Sequence, residues 1–313
     1  FAIANNVSYK INTVSYDRPS RNGYVMMQAL GVCATVDDFE KFLQEMEIPR
    51  GASANFAVID AQGGAAYFET GDDRYFRFDV KDSPDGYLYR TNFSVAGVQD
   101  KGAGYIRYAA AEKLFEEKKS GFTPDWLISN PARSFYHGLM KTDLEDFSDK
   151  ALGEGFVISQ DYIPRYTTVS SLVIEGVNPG EDPANTVLWS AIGYAPCSYV
   201  IPVWVGAENE IPACLSSKDK ALAPANELAM QLKGVVFPVT RGNGNKYLDY
   251  LTLRSDILPE VEKAEDKEIK EGEKVKMRFA EKGFDIETVR KFNTEADKRF
   301  ERFRSKMKKI TER

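Results

Sequence analysis

The sequence is short of the residues on which several common chemistries depend. Histidine occurs once, as His137, and cysteine three times, as Cys33, Cys197 and Cys214. A Ser-His-Asp or Cys-His mechanism would have to use His137, and no Gly-x-Ser-x-Gly nucleophile elbow accompanies it. We predict that His137 ends a helix and is not catalytic. The cysteines lack Cys-x-x-Cys spacing, which disfavours zinc, and a Cys197–Cys214 disulfide stays open for an oxidising compartment.

The sequence also lacks a strong positive charge and a long apolar run. Its net charge is −6, whereas a general nucleic-acid binder is basic. No apolar run is long enough to span a bilayer, and the first residues have neither the basic nor the apolar region of a signal peptide. We therefore expect neither a nucleic-acid partner nor a membrane span, and the composition is that of a globular protein.

Strand and helix signals are both present, and they do not alternate strictly. This order favours an α+β fold over a doubly wound parallel sheet. Apolar or alternating runs between turn signals predict strands, which lie near residues 1–4, 55–60, 65–69, 74–80, 86–91, 157–159, 168–175, 187–191 and 200–205. Helices are predicted near residues 24–31, after the capping box Thr35-x-x-Asp38, near 103–118, and from Pro124. Ala61-Gln-Gly-Gly64 predicts the turn of a hairpin.

The last part of the chain differs from the rest. We predict one domain over residues 1–258 and a charged helical hairpin or arm over residues 259–313. Apolar residues recur at three- and four-residue steps from Ile286 to Ile310, which indicates an amphipathic helix. Glu271-Gly272 and Lys282-Gly283 predict breaks before it. The helix either packs against its own domain or forms an arm for dimerisation or partner binding.

Asparagine stands where three of the predicted strands begin or end. Asn5-Asn6 follows the first apolar run, Asn55 opens a later strand, and Asn92 closes another. A neutral amide donor suits an oxyanion hole, where negative charge develops on a carbonyl oxygen. Asparagine is also common at strand ends because its side chain satisfies local backbone groups. Both interpretations stay open for each residue taken singly.

The order of these segments resembles the N-terminal nucleophile (Ntn) hydrolases, in the group of choloylglycine hydrolase and acyl-coenzyme A:6-aminopenicillanic acid acyltransferase. The resemblance is carried by Phe1–Asn6, Gly51–Asp60 with Gly63–Glu69, and Tyr89–Phe93. It extends in order over about residues 1–205 and leaves out the charged tail. It implies a four-layer αββα sandwich that lacks its N-terminal strands here and carries the charged helical tail as an extension.

The resemblance implies an amidohydrolase or acyltransferase that acts on a linear amide through an acyl-thioester. Such enzymes use an N-terminal cysteine freed by autoproteolysis, and its own α-amine is the base, so no histidine is needed. We expect that cysteine several tens of residues before Phe1, followed by an arginine and an aspartate. Residues 1–313 alone are then expected to be inactive. Neither a metal nor an organic cofactor is implied.

The resemblance also implies roles for single residues. Asn92 would bind the oxyanion, Asn6 or alternatively Asn5 would give a second donor, and Arg165 would be the family's later arginine. The expected substrate-binding residues are Asn55, Tyr9 and Phe93. Bile-salt, penicillin, N-acyl amino acid and peptide-like amides all remain open as substrates.

The expected partner is a small-molecule amide, with a homo-oligomer or pairing with the chain's own N-terminal segment also open. An alternative function is a non-catalytic relative that keeps the Ntn sandwich for binding. A third is an interaction protein whose charged C-terminal helices mediate assembly. The resemblance also implies export to a periplasmic or cell-surface location.

Overall fold

The computed structural model describes residues 1–8, 11, 19–98, 102–217 and 221–312. The chain divides into two units. The first contains Phe1–Lys119 with Gly176–Glu181, and the second contains Ser120–Glu175 with Asp182–Arg313. The predicted division into a domain over residues 1–258 and a charged helical hairpin or arm over residues 259–313 stays a prediction. The mixed helices and strands confirm the predicted α+β class.

The described strands of the first unit are β1 Ala2–Val7, β2 Ala54–Ile59, β3 Ala65–Thr70 and β4 Tyr75–Asp79. They form a four-stranded antiparallel sheet in the order β1-β2-β3-β4. The helices of this unit are α1 Asn22–Val32, α2 Val36–Glu45 and α3 Tyr105–Lys118. Alternate side chains of β2, namely Ala54, Phe56 and Val58, are buried in one core with α1 and α2. The period of two along β2 therefore fixes which sheet face the helices cover.

The local signals for α2 and the hairpin are confirmed. The Thr35 side chain accepts from the Asp38 backbone N–H, and the Asp38 carboxylate accepts from Thr35 in return. At the hairpin turn, the Asp60 carboxylate accepts from the backbone N–H groups of Gln62 and Gly64, and also from Val36. Burial alone would raise the pKa of Asp60, but these three hydrogen bonds outweigh burial and the pKa is lowered.

Two predicted strands of the first unit need correction. The first strand does not end before Asn5-Asn6 but continues to Val7, because every residue from Ala2 to Val7 has a partner on β2. Residues 86–91 do not form a strand. Tyr87 and Tyr89 alternate as strand residues would, but their rings pack on Phe115 of α3, with centroids 5.2 and 5.7 Å away. Alternation cannot distinguish a sheet neighbour from a helix.

The strands of the second unit are β5 Tyr136–His137, β6 Thr142–Asp143, β7 Phe156–Ile158, β8 Ser170–Glu175, β9 Val187–Ile192, β10 Ile201–Trp204, β11 Val239–Thr240 and β12 Lys246–Asp249. Over the described residues they form three small antiparallel sheets, in the orders β10-β9-β8, β11-β12-β7 and β5-β6. The helices of this unit are α4 Pro124–Ser129, α5 Asp149–Leu152, α6 Pro224–Val236, α7 Tyr250–Thr252, α8 Leu258–Lys282 and α9 Ile286–Thr311. No helix of the residues described here is long and apolar enough to cross a membrane.

The charged tail is a pair of long helices that belong to the core of the second unit. The predicted break at Lys282-Gly283 is confirmed, since α8 ends at Lys282. The break predicted at Glu271-Gly272 is wrong, because α8 runs through Gly272. The apolar stripe of α9, which includes Phe292, Phe300 and Met307, is buried in the core of its own unit. This stripe is therefore not exposed to a partner.

Gly272 lies inside α8 at a position where close packing leaves little room for a side chain. A Cβ atom there would lie 3.0 Å from the Pro202 ring and from the Trp189 indole. Replacing Gly272 by leucine is expected to lower the free energy of unfolding by about 1–3 kcal/mol or more, since the added atoms must displace two rigid rings. All three tryptophans belong to the second unit, so tryptophan fluorescence during urea unfolding measures the change. The exposed Lys270→Leu on the same helix is the control; an equal loss in both variants would contradict the prediction.

The only histidine does not end a helix as predicted. His137 lies in β5, paired with Thr142, because α4 already ends at Ser129 and Pro131 cannot continue it. Its Nδ1 accepts from the Met140 backbone N–H at 3.2 Å, and its ring packs edge-on against Tyr162. These contacts give His137 a role in the turn between β5 and β6.

Candidate functional site

A row of polar side chains crosses the sheet of the first unit. Asn6 on β1 is the direct partner of Asn55 on β2, and Asn55 is the direct partner of Glu69 on β3. Directly paired residues of antiparallel strands point to the same face. Asn6, Asn55 and Glu69 therefore form one polar row, on the face opposite to α1 and α2. Asn5 alternates to the other face, which favours Asn6 over Asn5 as the site residue.

Glu69 is the charged end of the polar row, and it is fully buried. Its carboxylate accepts from Arg90 Nε and from the backbone N–H groups of Val95 and Ala96 at 3.0 and 2.8 Å. The Arg90 side chain is 5% exposed, and its guanidinium lies over the rings of Tyr67 and Phe78. A buried carboxylate is stable only with such compensation. Glu69 therefore fixes both ends of the segment 90–96, called here the 90–96 loop.

Asn55 holds the middle of the same loop. It is fully buried, and its amide donates to the carbonyl oxygens of Thr91 at 3.1 Å and Phe93 at 2.8 Å. Its Oδ1 accepts from Ser94 Oγ at 2.8 Å. Both N–H groups and the oxygen of Asn55 are therefore engaged. A substrate could reach this amide only by displacing the loop, so the geometry favours a positioning role over the predicted direct contact.

The side chains of Asn6 and Asn92 make fewer hydrogen bonds than that of Asn55. Asn6 Nδ2 donates to Thr91 O at 2.6 Å, while its Oδ1 is buried with no hydrogen-bond partner among the residues described. Asn92 Nδ2 donates to Val7 O at 3.0 Å, and its Oδ1 accepts from Arg107 Nη2 at 2.8 Å. An amide nitrogen carries two N–H groups. Within the described part of the chain, each asparagine keeps one N–H without an acceptor.

The aromatic surroundings of the loop come from α3. Phe93 stacks on Tyr105 with centroids 4.3 Å apart, and it lies 5.0 Å from Tyr108. Gly102 permits this approach, since a Cβ atom there would lie 2.2 Å from Phe93 Cβ. Phe93 is half-buried, so part of its ring remains accessible beside Asn92.

The structure brings together four of the six predicted site residues, namely Asn6, Asn55, Asn92 and Phe93. Arg165 belongs to the second unit, in a turn where its N–H donates to Ile163 O and its carbonyl accepts from Thr168. Tyr9 lies outside the described residues. The roles predicted for these residues remain predictions.

The three cysteines are buried and free. Burial raises the pKa of each thiol, most strongly for Cys197 and Cys214. A thiol with a raised pKa is a poor nucleophile at neutral pH because little thiolate is present. Among the described residues, no cluster of His, Cys, Asp or Glu is arranged to hold a metal ion.

Sequence reasoning missed the charged half of this site. In the sequence, Glu69 and Arg90 belong to strand and turn signals, and Arg107 belongs to a helix signal. Glu69 could have indicated a buried ion pair, because it is a charged residue in the apolar strand that follows the hairpin turn. Such a residue is rarely buried without a partner. Which arginine serves as partner depends on the path of the 90–96 loop.

Residues 7–117 match the family described as acyl-coenzyme A:6-aminopenicillanic acid acyl-transferase, and this family belongs to the Ntn hydrolase superfamily. The resemblance stated from the sequence is thus confirmed; it was expected to reach about residue 205, whereas the match ends at residue 117. No curated protein and no solved structure matches the chain significantly.

Proposed function

We propose that the first unit is part of an Ntn-type amidohydrolase or acyltransferase that cleaves a linear, non-peptide amide. The family match supports the general class of acyl transfer or amide hydrolysis. The proposal is carried by two linked asparagines: Asn6 on β1 donates to Thr91 O in the 90–96 loop, and Asn92 in that loop donates to Val7 O on β1. Among the described residues, each of the two amides keeps one N–H without an acceptor. Two neutral amide donors are what a developing oxyanion requires.

In this proposal Asn92 and Asn6 donate to the oxyanion, and Asn55 and Glu69 position the 90–96 loop that carries Asn92. Positioning matters because oxyanion donors stabilise charge without reorganising at the moment of reaction. Phe93 borders the substrate through the accessible part of its ring. Tyr9 and Arg165 remain proposed substrate-side and catalytic residues, respectively.

The nucleophile in this proposal is an N-terminal cysteine outside residues 1–313, whose own α-amine acts as the base. The three thiols of the chain are buried with raised pKa values and carry no free α-amine, which disfavours them for this role. His137 is occupied in a turn. On this proposal residues 1–313 alone do not turn over substrate.

The four-layer αββα sandwich is part of the same proposal. The first unit supplies one helix layer and one sheet, with α1 and α2 on a single face of the sheet. The polar row lies on the opposite face. In a four-layer sandwich that face would meet a second sheet, which would place the row between the two sheets.

The proposal is tested by trapping the acyl-enzyme. The complete gene product is incubated with a panel of N-acyl amides, quenched with acid, digested and analysed by mass spectrometry. We expect the acyl mass on a processed N-terminal cysteine. Acylation of Cys33, Cys197 or Cys214, or hydrolysis without any covalent adduct, would overturn the mechanism.

Replacing Asn92 by alanine in the complete enzyme is expected to lower kcat by about 10²–10³-fold, the usual effect of losing one oxyanion donor. The KM should change little, because the lost hydrogen bond forms mainly in the transition state. Asn5→Ala is the matched control. Asn5 is an asparagine next to Asn6 on β1, but its side chain lies on the face of the sheet opposite to the polar row. An unchanged kcat for the Asn92 variant would remove Asn92 from the site.

A further inference from the structure

The second unit contains a cavity of about 340 Å³ that the proposed function does not use. It lies between α6, the start of β12 and the turn before β8, and all of its lining residues belong to the second unit. Its volume is within the range of small-molecule sites, which begins at about 300 Å³. Gly193 and Gly234 line it without side chains, which leaves its interior open.

Two lysines project into this cavity around one aromatic ring. Lys233 Nζ lies 4.7 Å from the centroid of the Tyr166 ring and 5.7 Å from that of Tyr194. Lys246 Nζ lies 5.8 Å from the same Tyr166 centroid. Lys233 also donates to the Thr168 carbonyl oxygen at 3.2 Å. Both ammonium groups therefore lie against the same aromatic ring.

The described lining of the cavity offers these ammonium groups no carboxylate. Among the residues the structure describes, the cavity lining contains neither Asp nor Glu. Burial lowers the pKa of Lys233; the neighbouring Cys197 opposes this, and Lys246 lowers the pKa further. A half-buried cation near a second cation is unfavourable unless an anion accompanies it. Cation–π contacts compensate only part of that cost.

Another part of the cavity wall is apolar. Phe237 is fully buried and packs edge-on against Tyr166, with centroids 5.1 Å apart. Met230, on the same face of α6 as Lys233, lines the cavity as well. Apolar walls with a few convergent polar groups are typical of a site for a small organic ligand. Free phosphate would use the lysines but not these walls.

We propose that this cavity binds a small aromatic carboxylate, with the carboxylate between Lys233 and Lys246 and the ring against Tyr166, Phe237 and Met230. Such a ligand supplies the missing negative charge and fills the apolar part of the cavity. The site lies outside residues 7–117 and rests on none of the residues proposed for amide cleavage. Its failure would therefore leave the proposed function untouched, and the reverse also holds.

The test uses the chain labelled at its methionine methyl groups and naphthoate as the probe. The chain has seven methionines, and Met230→Leu assigns the methyl resonance of interest. Naphthoate at millimolar concentration should shift the Met230 resonance through the ring current. Neutral naphthamide and inorganic phosphate should bind at least about tenfold more weakly, since each lacks one of the two interactions.

Lys233→Met and Lys246→Met should each weaken naphthoate about tenfold or more, and Lys233→Arg should retain binding. Lys270→Met, on the exposed face of α8, is the matched control and should bind as the unaltered chain does. The tryptophan fluorescence of each variant confirms that the second unit is folded. The proposal would be overturned if naphthoate and naphthamide bound equally well, or if phosphate bound as tightly as naphthoate. It would also be overturned if Lys233→Met and Lys246→Met both bound naphthoate as the unaltered chain does, or if no probe shifted the Met230 resonance.

Discussion

Replacing Glu69 by alanine is expected to lower the free energy of unfolding of the first unit by about 3–5 kcal/mol. The change leaves the Arg90 guanidinium, whose side chain is 5% exposed, without its carboxylate. It also removes the acceptor of the Val95 and Ala96 N–H groups. Hydrogen exchange should therefore accelerate at these two amides, and it can be followed residue by residue.

Glu69→Gln separates the charge from the hydrogen bonds. The glutamine oxygen can still accept from one backbone N–H, so its loss of stability should be smaller than that of the alanine variant. Asp37→Asn is the control, because Asp37 pairs with Arg77 while its side chain is 83% exposed, and exposed pairs contribute little. If exchange at Val95 and Ala96 stayed as slow in Glu69→Ala as in the unaltered chain, Glu69 would not hold the loop.

Replacing Arg133 by methionine is expected to cost the second unit about 3–5 kcal/mol. Arg133 and Glu265 form a bidentate pair at 2.7 and 2.6 Å, and their side chains are 1% and 2% exposed. The guanidinium also donates to the carbonyl oxygens of Ala195 and Ser198. Without it, a buried carboxylate on α8 has no counter-charge.

Urea unfolding followed by tryptophan fluorescence measures this loss directly. The double variant Arg133→Met with Glu265→Gln should cost less than the sum of the two single changes, since residues in one network are not additive. Lys274→Met is the control, because the Lys274–Glu271 pair is exposed. Additive losses would show that the two residues stabilise the unit independently.

These two ion pairs show that buried charged residues join separate elements of the fold. Glu69–Arg90 fixes a loop to a sheet, and Arg133–Glu265 ties α8 to the turn that follows α4. A third pair, Arg299–Glu268, joins α9 to α8, and its carboxylate is fully buried. Burial lowers the pKa of Arg299, but the hydrogen bonds to Glu268 more than compensate and the pKa is raised. The long helices are therefore joined by charge as well as by their apolar stripe.

Much of the first unit was predictable because its signals are local. A capping box needs only residues 35–38, and the hairpin needs only two alternating strands around a glycine turn. Both formed as predicted. The strand predicted at residues 86–91 was wrong. Alternating apolar side chains indicate that one side of a segment is buried, but not whether a strand or a helix covers it; here the covering element is α3. The helix break predicted at Gly272 was wrong for a similar reason, because the sequence does not show that this glycine is packed closely against Trp189.

The candidate site shows the same division between local and tertiary information. By itself the sequence determined the asparagines at strand ends and their order along the chain, since these depend on residue type and spacing. It also left His137 as the single histidine that a histidine-based mechanism could use. Only the tertiary structure decided that Asn6 and not Asn5 joins Asn55. One residue of register moves a side chain to the other face. It also decided that Glu69 and Arg90 hold Asn92 in place, because a buried charge finds its partner through the folded chain path and not through sequence distance.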